Sequence, residues 1–175
     1  AAAVLVDDVV LMAYDFHGPW ETRADFNAPL YATTDGPTRY RASVDGGVTA
    51  WLERGVPAEK LVLGMPLYGY LYQGAGGLYG AFDKAVSVPW DKVKRDYLPS
   101  AAYRQLRHRE AEVPYLTGRN SLLSYDDEIS IAAKAELARR RGLGGVGFWE
   151  LSQDREGDLI QSAWAAWRGG GFLDV

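Results

Sequence analysis

Three short apolar runs stand out along the chain, and each of them leads into aromatic or charged residues. They cover residues 9–13, 61–67 and 144–149. An apolar run of this length predicts a strand that is buried on both faces, as strands of parallel sheets usually are. We predict that the first strand covers about residues 4–14.

Segments with helical periodicity lie between and after these runs. Apolar positions recur at helical spacing in residues 40–54, about 127–141 and 158–168, and glycines follow each segment. Either Asp126 or Asp127 is expected to cap the second helix. Tryptophans on the apolar faces are predicted to lie in the core: Trp51, Trp164 and Trp167.

Residues 70–124 follow neither pattern but are rich in turn residues and aromatics. Because a structureless loop of this length is improbable in a compact domain, we predict a small α+β insertion subdomain. Its predicted elements are a strand at residues 86–90 and a short helix at 89–97. Trp90 and Tyr115 fit its core as well as they fit the wall of a cleft.

Composition and charge exclude several classes of function. The net charge of −4 gives no basic face for a nucleic acid, and no apolar run approaches the roughly 18 residues of a membrane span. His17 and His108 stand alone, and cysteine is absent, so no metal site and no cofactor are predicted. The 6 Trp and 11 Tyr suit a sugar-binding cleft, although they also suit a large core.

The order of elements places polar side chains at the carboxyl ends of parallel strands. Strand, helix and strand with short connections form a βαβ unit, and α/β folds open their sites where such strands end. Tyr14 and Asp15 follow the first strand directly, so we expect them to face a carbohydrate. The layout is that of a (β/α) barrel, but such a barrel typically needs about 250 residues, and three strands cannot close one.

Four motifs in sequence resemble the C-terminal half of the catalytic domain of glycoside hydrolase family 18 chitinases. They are residues 12–15 (MAYD) with 18–20 (GPW), residues 55–57 (GVP) with 60–69 (KLVLGMPLYG), residues 125–127 (YDD) with Ser130 and Lys134, and residues 142–145 (GLGG) with 148–154 (FWELSQD). The resemblance implies an α/β fold, a partial TIM (β/α)8 barrel made of its last three βα units. It assigns residues 1–69 and 125–168 to the barrel, 70–124 to the chitinase insertion domain and 169–175 to a tail.

The resemblance also implies roles for individual residues. Tyr14 and Asp15 match the catalytic pair that orients the substrate's acetamido group during substrate-assisted retention. Trp149 matches the floor under the −1 sugar, and Trp20 matches a platform on the +1 side. Met12 and Tyr68 would line the same pocket.

Two departures from the family pattern are visible. The catalytic acid of these enzymes lies in an Asp-x-x-Asp-x-Asp-x-Glu motif, which none of the 175 residues matches. A positioned acid contributes about 10²–10⁴-fold in rate, so this chain alone is expected to be inactive. Tyr70 stands where many relatives carry a basic residue.

Three hypotheses follow for the function. The first is part of a secreted, bacterial-type chitinase that hydrolyses β-1,4-linked N-acetylglucosamine polymers, with the rest of the barrel supplied by another segment or chain. The second is a chitin-binding, lectin-like protein without turnover. The third is a fragment that associates with a second copy of itself through open strand edges. In each case chitin or its oligosaccharides are the predicted ligand, with no nucleic acid and no membrane as partner.

Overall fold

The computed structural model describes Ala3, residues 5–36 and residues 42–169, and these residues form two sheets with helices. The first sheet is parallel and contains β1 (Val9–Met12), β2 (Leu61–Pro66) and β8 (Gly145–Trp149) in the order β1-β2-β8. In the described part of the chain, β1 and β8 are therefore the edge strands of this sheet.

Strand β1 is shorter than the predicted residues 4–14. Its pairing with β2 runs only from Val9, opposite Leu61, to Met12, opposite Gly64. The backbone then leaves the extended conformation, and Asp15 has a φ of 58°. Residues 5–8 are exposed and lie outside the ladder, and Val4 lies outside the described residues.

Three longer helices accompany the parallel sheet: α1 (Val44–Glu53), α3 (Glu128–Arg140) and α4 (Asp158–Trp167). Helix α1 begins later than predicted because Ser43 caps it, accepting a hydrogen bond from the Gly46 N–H at 3.1 Å. Tyr40, the predicted start, lies outside the described residues. No helix of the described chain has the length and apolar character needed to cross a membrane.

Asp126 and Asp127 have different roles at the start of α3. Asp127 is the N-cap, and its side chain and that of Ser130 form a reciprocal capping box. Asp126 points into the interior, where its Oδ1 accepts hydrogen bonds from Lys134 Nζ at 2.5 Å and Ser130 Oγ at 2.6 Å. Burial raises the pKa of Asp126 and lowers that of Lys134, while the charge of each partner opposes these shifts.

The second sheet is antiparallel and lies in sequence between β2 and α3. Its strands are β3 (Tyr68–Gln73), β4 (Lys84–Pro89), β5 (Arg104–Arg107), β6 (Pro114–Gly118) and β7 (Ser121–Ser124), in the spatial order β4-β3-β7-β6-β5. Helix α2 (Trp90–Lys92) follows β4 and continues as a π-helical turn at Val93–Tyr97. The division of the chain at residues 70 and 124 stays a prediction.

The largest apolar cluster joins both sheets and the helices. It includes the strand residues Leu61 and Leu63, the helix residue Ile131, and Trp90, which is 2% exposed and stacks on Tyr125 at 6.3 Å. Trp90 is thus a core residue rather than part of a cleft wall.

The predicted core positions of two helical tryptophans are wrong. Trp51 is 40% exposed and Trp164 is 59% exposed, whereas Trp167 is half-buried. Helix α4 buries Leu159, Ser162 and Ala163 instead. The apolar face of this helix is therefore wider than the surface that the described chain covers.

Candidate active site

The three parallel strands end at one edge of their sheet, and Met12, Tyr14, Asp15 and Trp149 lie at or just beyond these ends. Met12 is opposite Gly64, which in turn is opposite Gly147, and Pro66 is opposite Trp149 two residues further along. Tyr14 follows Met12 by two residues, and Trp149 follows Gly147 by two. Side chains two residues apart on a strand share a face, so Trp149 lies on the face of Gly147 and Met12, whereas Tyr14 lies beyond the end of β1.

Gly64 makes room for the ring of Tyr14. A Cβ atom at Gly64 would lie 3.3 Å from Tyr14 Cε1 and only 2.8 Å from the Leu11 carbonyl oxygen. The Tyr14 ring also meets the Tyr68 ring edge-on, with centroids 6.2 Å apart. Burial and the adjacent Asp15 raise the pKa of Tyr14, so its hydroxyl stays protonated and able to donate.

Asp15 is held by two phenols from the neighbouring strand β3. Its Oδ1 accepts hydrogen bonds from Tyr68 Oη at 2.5 Å and Tyr70 Oη at 2.8 Å. Tyr68 and Tyr70 are two residues apart on β3 and therefore project from the same face. Burial, followed by the interaction with Asp15, raises the pKa of both tyrosines, which keeps both hydroxyls as donors.

The backbone of Asp15 is strained and is anchored by Asn27. A φ of 58° is unusual for a residue other than glycine and costs about 1–3 kcal/mol. The Asp15 N–H donates to Asn27 Oδ1 at 2.9 Å, and Asn27 Nδ2 donates to the Tyr68 carbonyl at 3.1 Å. Asn27 is 1% exposed, and its own N–H donates to Ser124 Oγ at 2.8 Å. One amide therefore ties the end of β1 to the start of β3.

The predicted stacking residues are exposed. Met12 is 67%, Trp149 58% and Trp20 58% exposed. Trp20 lies across Gly18, where a Cβ atom would come within 2.4 Å of the indole, and its ring meets the Tyr70 ring edge-on at 5.9 Å. Exposed indole rings such as those of Trp20 and Trp149 are able to stack on the C–H faces of a sugar.

His17 has a structural role, as its isolation in the sequence indicates. It is 4% exposed, and its Nδ1 lies 2.9 Å from Glu21 Oε2 and its Nε2 3.6 Å from Asp25 Oδ2. Burial is the main cause of a raised pKa at Asp25. Among the described residues, no three His, Cys, Asp or Glu side chains are placed to hold a metal ion.

Asn27 is the site residue that the sequence patterns do not reveal. It lies in a loop rich in Gly, Pro, Asn and Asp, where no sequence pattern distinguishes it from an ordinary turn residue. Its importance depends on two partners, Asp15 and Tyr68, that are distant in sequence. In the sequence, Tyr70 differs from the family pattern only by replacing a basic residue. Its hydrogen bond to Asp15 is visible only in the structure.

The sequence pattern of Glycosyl hydrolases family 18 matches residues 1–154. The chain belongs to this family. Chitotriosidase-1 of Mus musculus is 36% identical over 163 residues, which cover 85% of this chain and 34% of the mouse protein. Chitinase A1 of Niallia circulans is 35% identical over 176 residues, covering 90% of this chain and 25% of the relative.

Solved structures of family 18 proteins have the same fold. A family 18 N-acetylglucosaminidase from Paenibacillus barengoltzii superposes with a TM-score of 0.86 at 30% identity, covering 94% of this chain and 50% of that one. A class V chitinase from Nicotiana tobaccum, solved as a mutant in complex with NAG4, gives a TM-score of 0.83 at 27% identity, with 95% and 50% covered. The chain thus spans half or less of each of these relatives.

Proposed function

We propose that this chain is the substrate-positioning part of a chitinase-type family 18 glycosidase acting on β-1,4-linked N-acetylglucosamine. In this proposal the parallel sheet and its helices are the last three βα units of a TIM barrel, and residues 70–124 are the insertion domain that walls the cleft. The carrying observation is the Asp15 carboxylate, fixed by Tyr68 and Tyr70 at the strand ends where Tyr14 also lies.

The chemistry required is substrate-assisted retention, in which the substrate's acetamido oxygen attacks its own anomeric carbon. The protein then has to hold that group in place and to protonate the leaving oxygen. The protonated hydroxyl of Tyr14 supplies a donor for the acetamido oxygen. In the described residues no hydrogen bond reaches Asp15 Oδ2, so this oxygen is free to accept the acetamido N–H.

The exposed aromatic rings complete the proposed cleft. Trp149 would form the floor under the −1 sugar, and Trp20 the platform on the +1 side, with Met12 and Tyr68 lining the pocket. The proton donor would come from outside these 175 residues, since the acid motif is not among them. Extracellular localisation is part of the proposal, because insoluble chitin has to be degraded outside the cell.

Binding and turnover measured on the same chain test the proposal. We expect calorimetry to detect binding of the N-acetylglucosamine tetramer and no binding of the glucose tetramer, which lacks acetamido groups. Asp15→Asn should weaken binding, whereas Asp8→Asn, at the opposite end of β1, should not. Failure to bind would overturn the proposed function, and turnover by this chain alone would overturn the assignment of the acid to another segment.

A further inference from the structure

Residues 17–26 form a loop whose two ends meet beside Asp15. The Phe16 N–H donates to the Asn27 carbonyl at 3.0 Å, and this bond closes the loop. The side chain of Asn27 accepts the Asp15 N–H at 2.9 Å, so the base of the loop and Asp15 share one anchor. Because this anchor lies at the base, a change inside the loop alters what the loop presents while Asp15 stays in place.

Trp20 projects from a tight turn within this loop. The Glu21 N–H donates to the Gly18 carbonyl at 3.1 Å and closes the turn. The indole lies over Gly18, where a Cβ atom would come within 2.4 Å of it, and it meets the Tyr70 ring edge-on at 5.9 Å. The indole is mostly exposed, so the backbone of the turn has a large part in setting its direction.

His17 bonds to the residue that follows Trp20 in this turn. Its Nδ1 lies 2.9 Å and 3.1 Å from the two carboxylate oxygens of Glu21. Since an ionised carboxylate only accepts hydrogen bonds, we assign the proton to Nδ1, which donates to Glu21. The other ring nitrogen, Nε2, lies 3.6 Å from Asp25 Oδ2 on the returning part of the loop. One imidazole therefore joins the start of the loop, its turn and its return.

The contacts of His17 are buried, and its partner on the return of the loop is fixed. The imidazole is 4% exposed, so its hydrogen bond to a charged acceptor is shielded from water and is strong. Asp25 Oδ1 accepts the Phe26 N–H at 2.7 Å. The preceding residue, Ala24, donates its N–H to the Gly80 carbonyl at 2.8 Å, which ties the return of the loop to the segment after β3. His17 thus connects a fixed part of the loop to the turn.

We propose that His17 is a positioning residue which, through its bond to Glu21, fixes the turn that presents Trp20 to the sugar chain. This inference rests on the proposed function, because it takes Trp20 as the platform on the +1 side. His17 acts through Trp20, since the imidazole itself is buried beneath the loop. A turn that is fixed before binding spares the ligand the entropic cost of ordering it, and affinity rises accordingly.

Fluorine NMR of the chain labelled with fluorotryptophan tests this positioning without any ligand. The chain has 6 Trp, and the Trp20 signal is the one that Trp20→Phe removes. His17→Leu has no donor for Glu21, so it should shift or broaden the Trp20 signal and leave the remaining signals in place. His17→Asn puts an amide donor close to the position of Nδ1 and should restore most of the original signal.

Calorimetry with the N-acetylglucosamine tetramer measures the consequence for binding. Trp20→Ala should lower the affinity by about fivefold, as expected for the loss of one aromatic contact, and His17→Leu should lower it by a comparable factor. In the Trp20→Ala background, His17→Leu should change the affinity by less than about twofold, because the ring that it positions is already gone. Losses that simply add would mean that His17 acts independently of Trp20.

His108→Leu is the matched control. The Nδ1 of His108 accepts the Ala111 N–H at 3.1 Å, so the same substitution there removes a bonded imidazole away from the Trp20 turn. It should leave the Trp20 signal unchanged and the tetramer affinity within about twofold of its original value. If His17→Leu does not fold, Glu21→Ala removes the same hydrogen bond from its more exposed end and should move the Trp20 signal likewise.

Two results would overturn the inference: a Trp20 signal that does not respond to loss of the bond between His17 and Glu21, or additive losses of affinity in the double variant. An equal response of the Trp20 signal to His108→Leu would overturn it as well. Failure of the unmodified chain to bind the tetramer would overturn the proposed function instead, because the fluorine measurement uses no ligand.

Discussion

Replacing Asn27 by alanine tests whether one buried amide holds Asp15 in place. The side chain satisfies two groups, the Asp15 N–H and the Tyr68 carbonyl, at 2.9 and 3.1 Å. A buried polar group left without a partner costs about 1–3 kcal/mol, and two such groups together with partial relaxation give roughly 2–5 kcal/mol. Against a total stability of about 5–15 kcal/mol, this is a large loss.

Denaturant unfolding of Asn27→Ala should therefore show a free energy of unfolding lower by roughly 2–5 kcal/mol. Affinity for the N-acetylglucosamine tetramer should fall as well, because the strained φ of Asp15 loses its anchor. Asn27→Asp keeps the acceptor but buries a carboxylate against the Tyr68 carbonyl, so it should be no more stable than the alanine variant.

Asn120→Ala is the control, since Asn120 is an exposed asparagine whose substitution should change stability by less than about 0.5 kcal/mol. A loss below about 1 kcal/mol in Asn27→Ala, with tetramer binding unchanged, would refute the anchoring role.

Three further substitutions have expected outcomes in denaturant unfolding. Lys134→Met should lower the free energy of unfolding by about 3–5 kcal/mol, because it leaves Asp126 buried without its counter-ion. Adding Asp126→Leu to this variant should recover most of the loss, and a double variant as unstable as Lys134→Met would contradict this reasoning. Gly69→Ala should be strongly destabilising, since its Cβ would lie 2.0 Å from a carbonyl oxygen of β7, whereas Gly76→Ala meets no atom within 4 Å and should be tolerated. Burial raises the folded-state pKa of Asp25, so its ionised form costs stability once the pH rises through that pKa. Asp25→Asn should thus gain stability relative to the unmodified chain at about pH 7 but not at about pH 4, and a pH-independent difference would exclude this cause.

The parallel strands are predictable from the sequence as continuous apolar runs, but the prediction that they are buried on both faces holds only for β2: β1 alternates between half-buried and exposed residues, and no residue of β8 is buried. Strands β2 and β8 lie where residues 61–67 and 144–149 predict them. The helices are predictable from periodicity, with errors of a few residues where a cap such as Ser43 decides the start. The antiparallel sheet is harder to derive. Its partners are far apart in sequence, and the sequence patterns predict only β4 and the short helix after it as elements.

Local pattern places Tyr14 and Asp15 at a strand end, but it cannot identify what holds them. The hydrogen bonds from Tyr68 and Tyr70 join residues more than fifty positions apart. The bond between Asn27 and Tyr68 likewise joins distant residues, 41 positions apart. Periodicity describes which face a residue occupies within its own element, so contacts of this kind emerge only once the sheets are assembled.

Exposure alone does not separate a sugar-binding tryptophan from any other. Trp20 and Trp164 are 58% and 59% exposed. Their neighbours differ: Trp20 meets Tyr70, which donates to Asp15, whereas Trp164 lies under the Arg168 guanidinium at 5.6 Å. A glycoside site needs both hydrogen-bond donors and acceptors beside the apolar ring. Of these two tryptophans, only Trp20 contacts a side chain, Tyr70, that is itself bonded to a carboxylate. For this reason we propose that the cleft lies at the strand ends and not along α4.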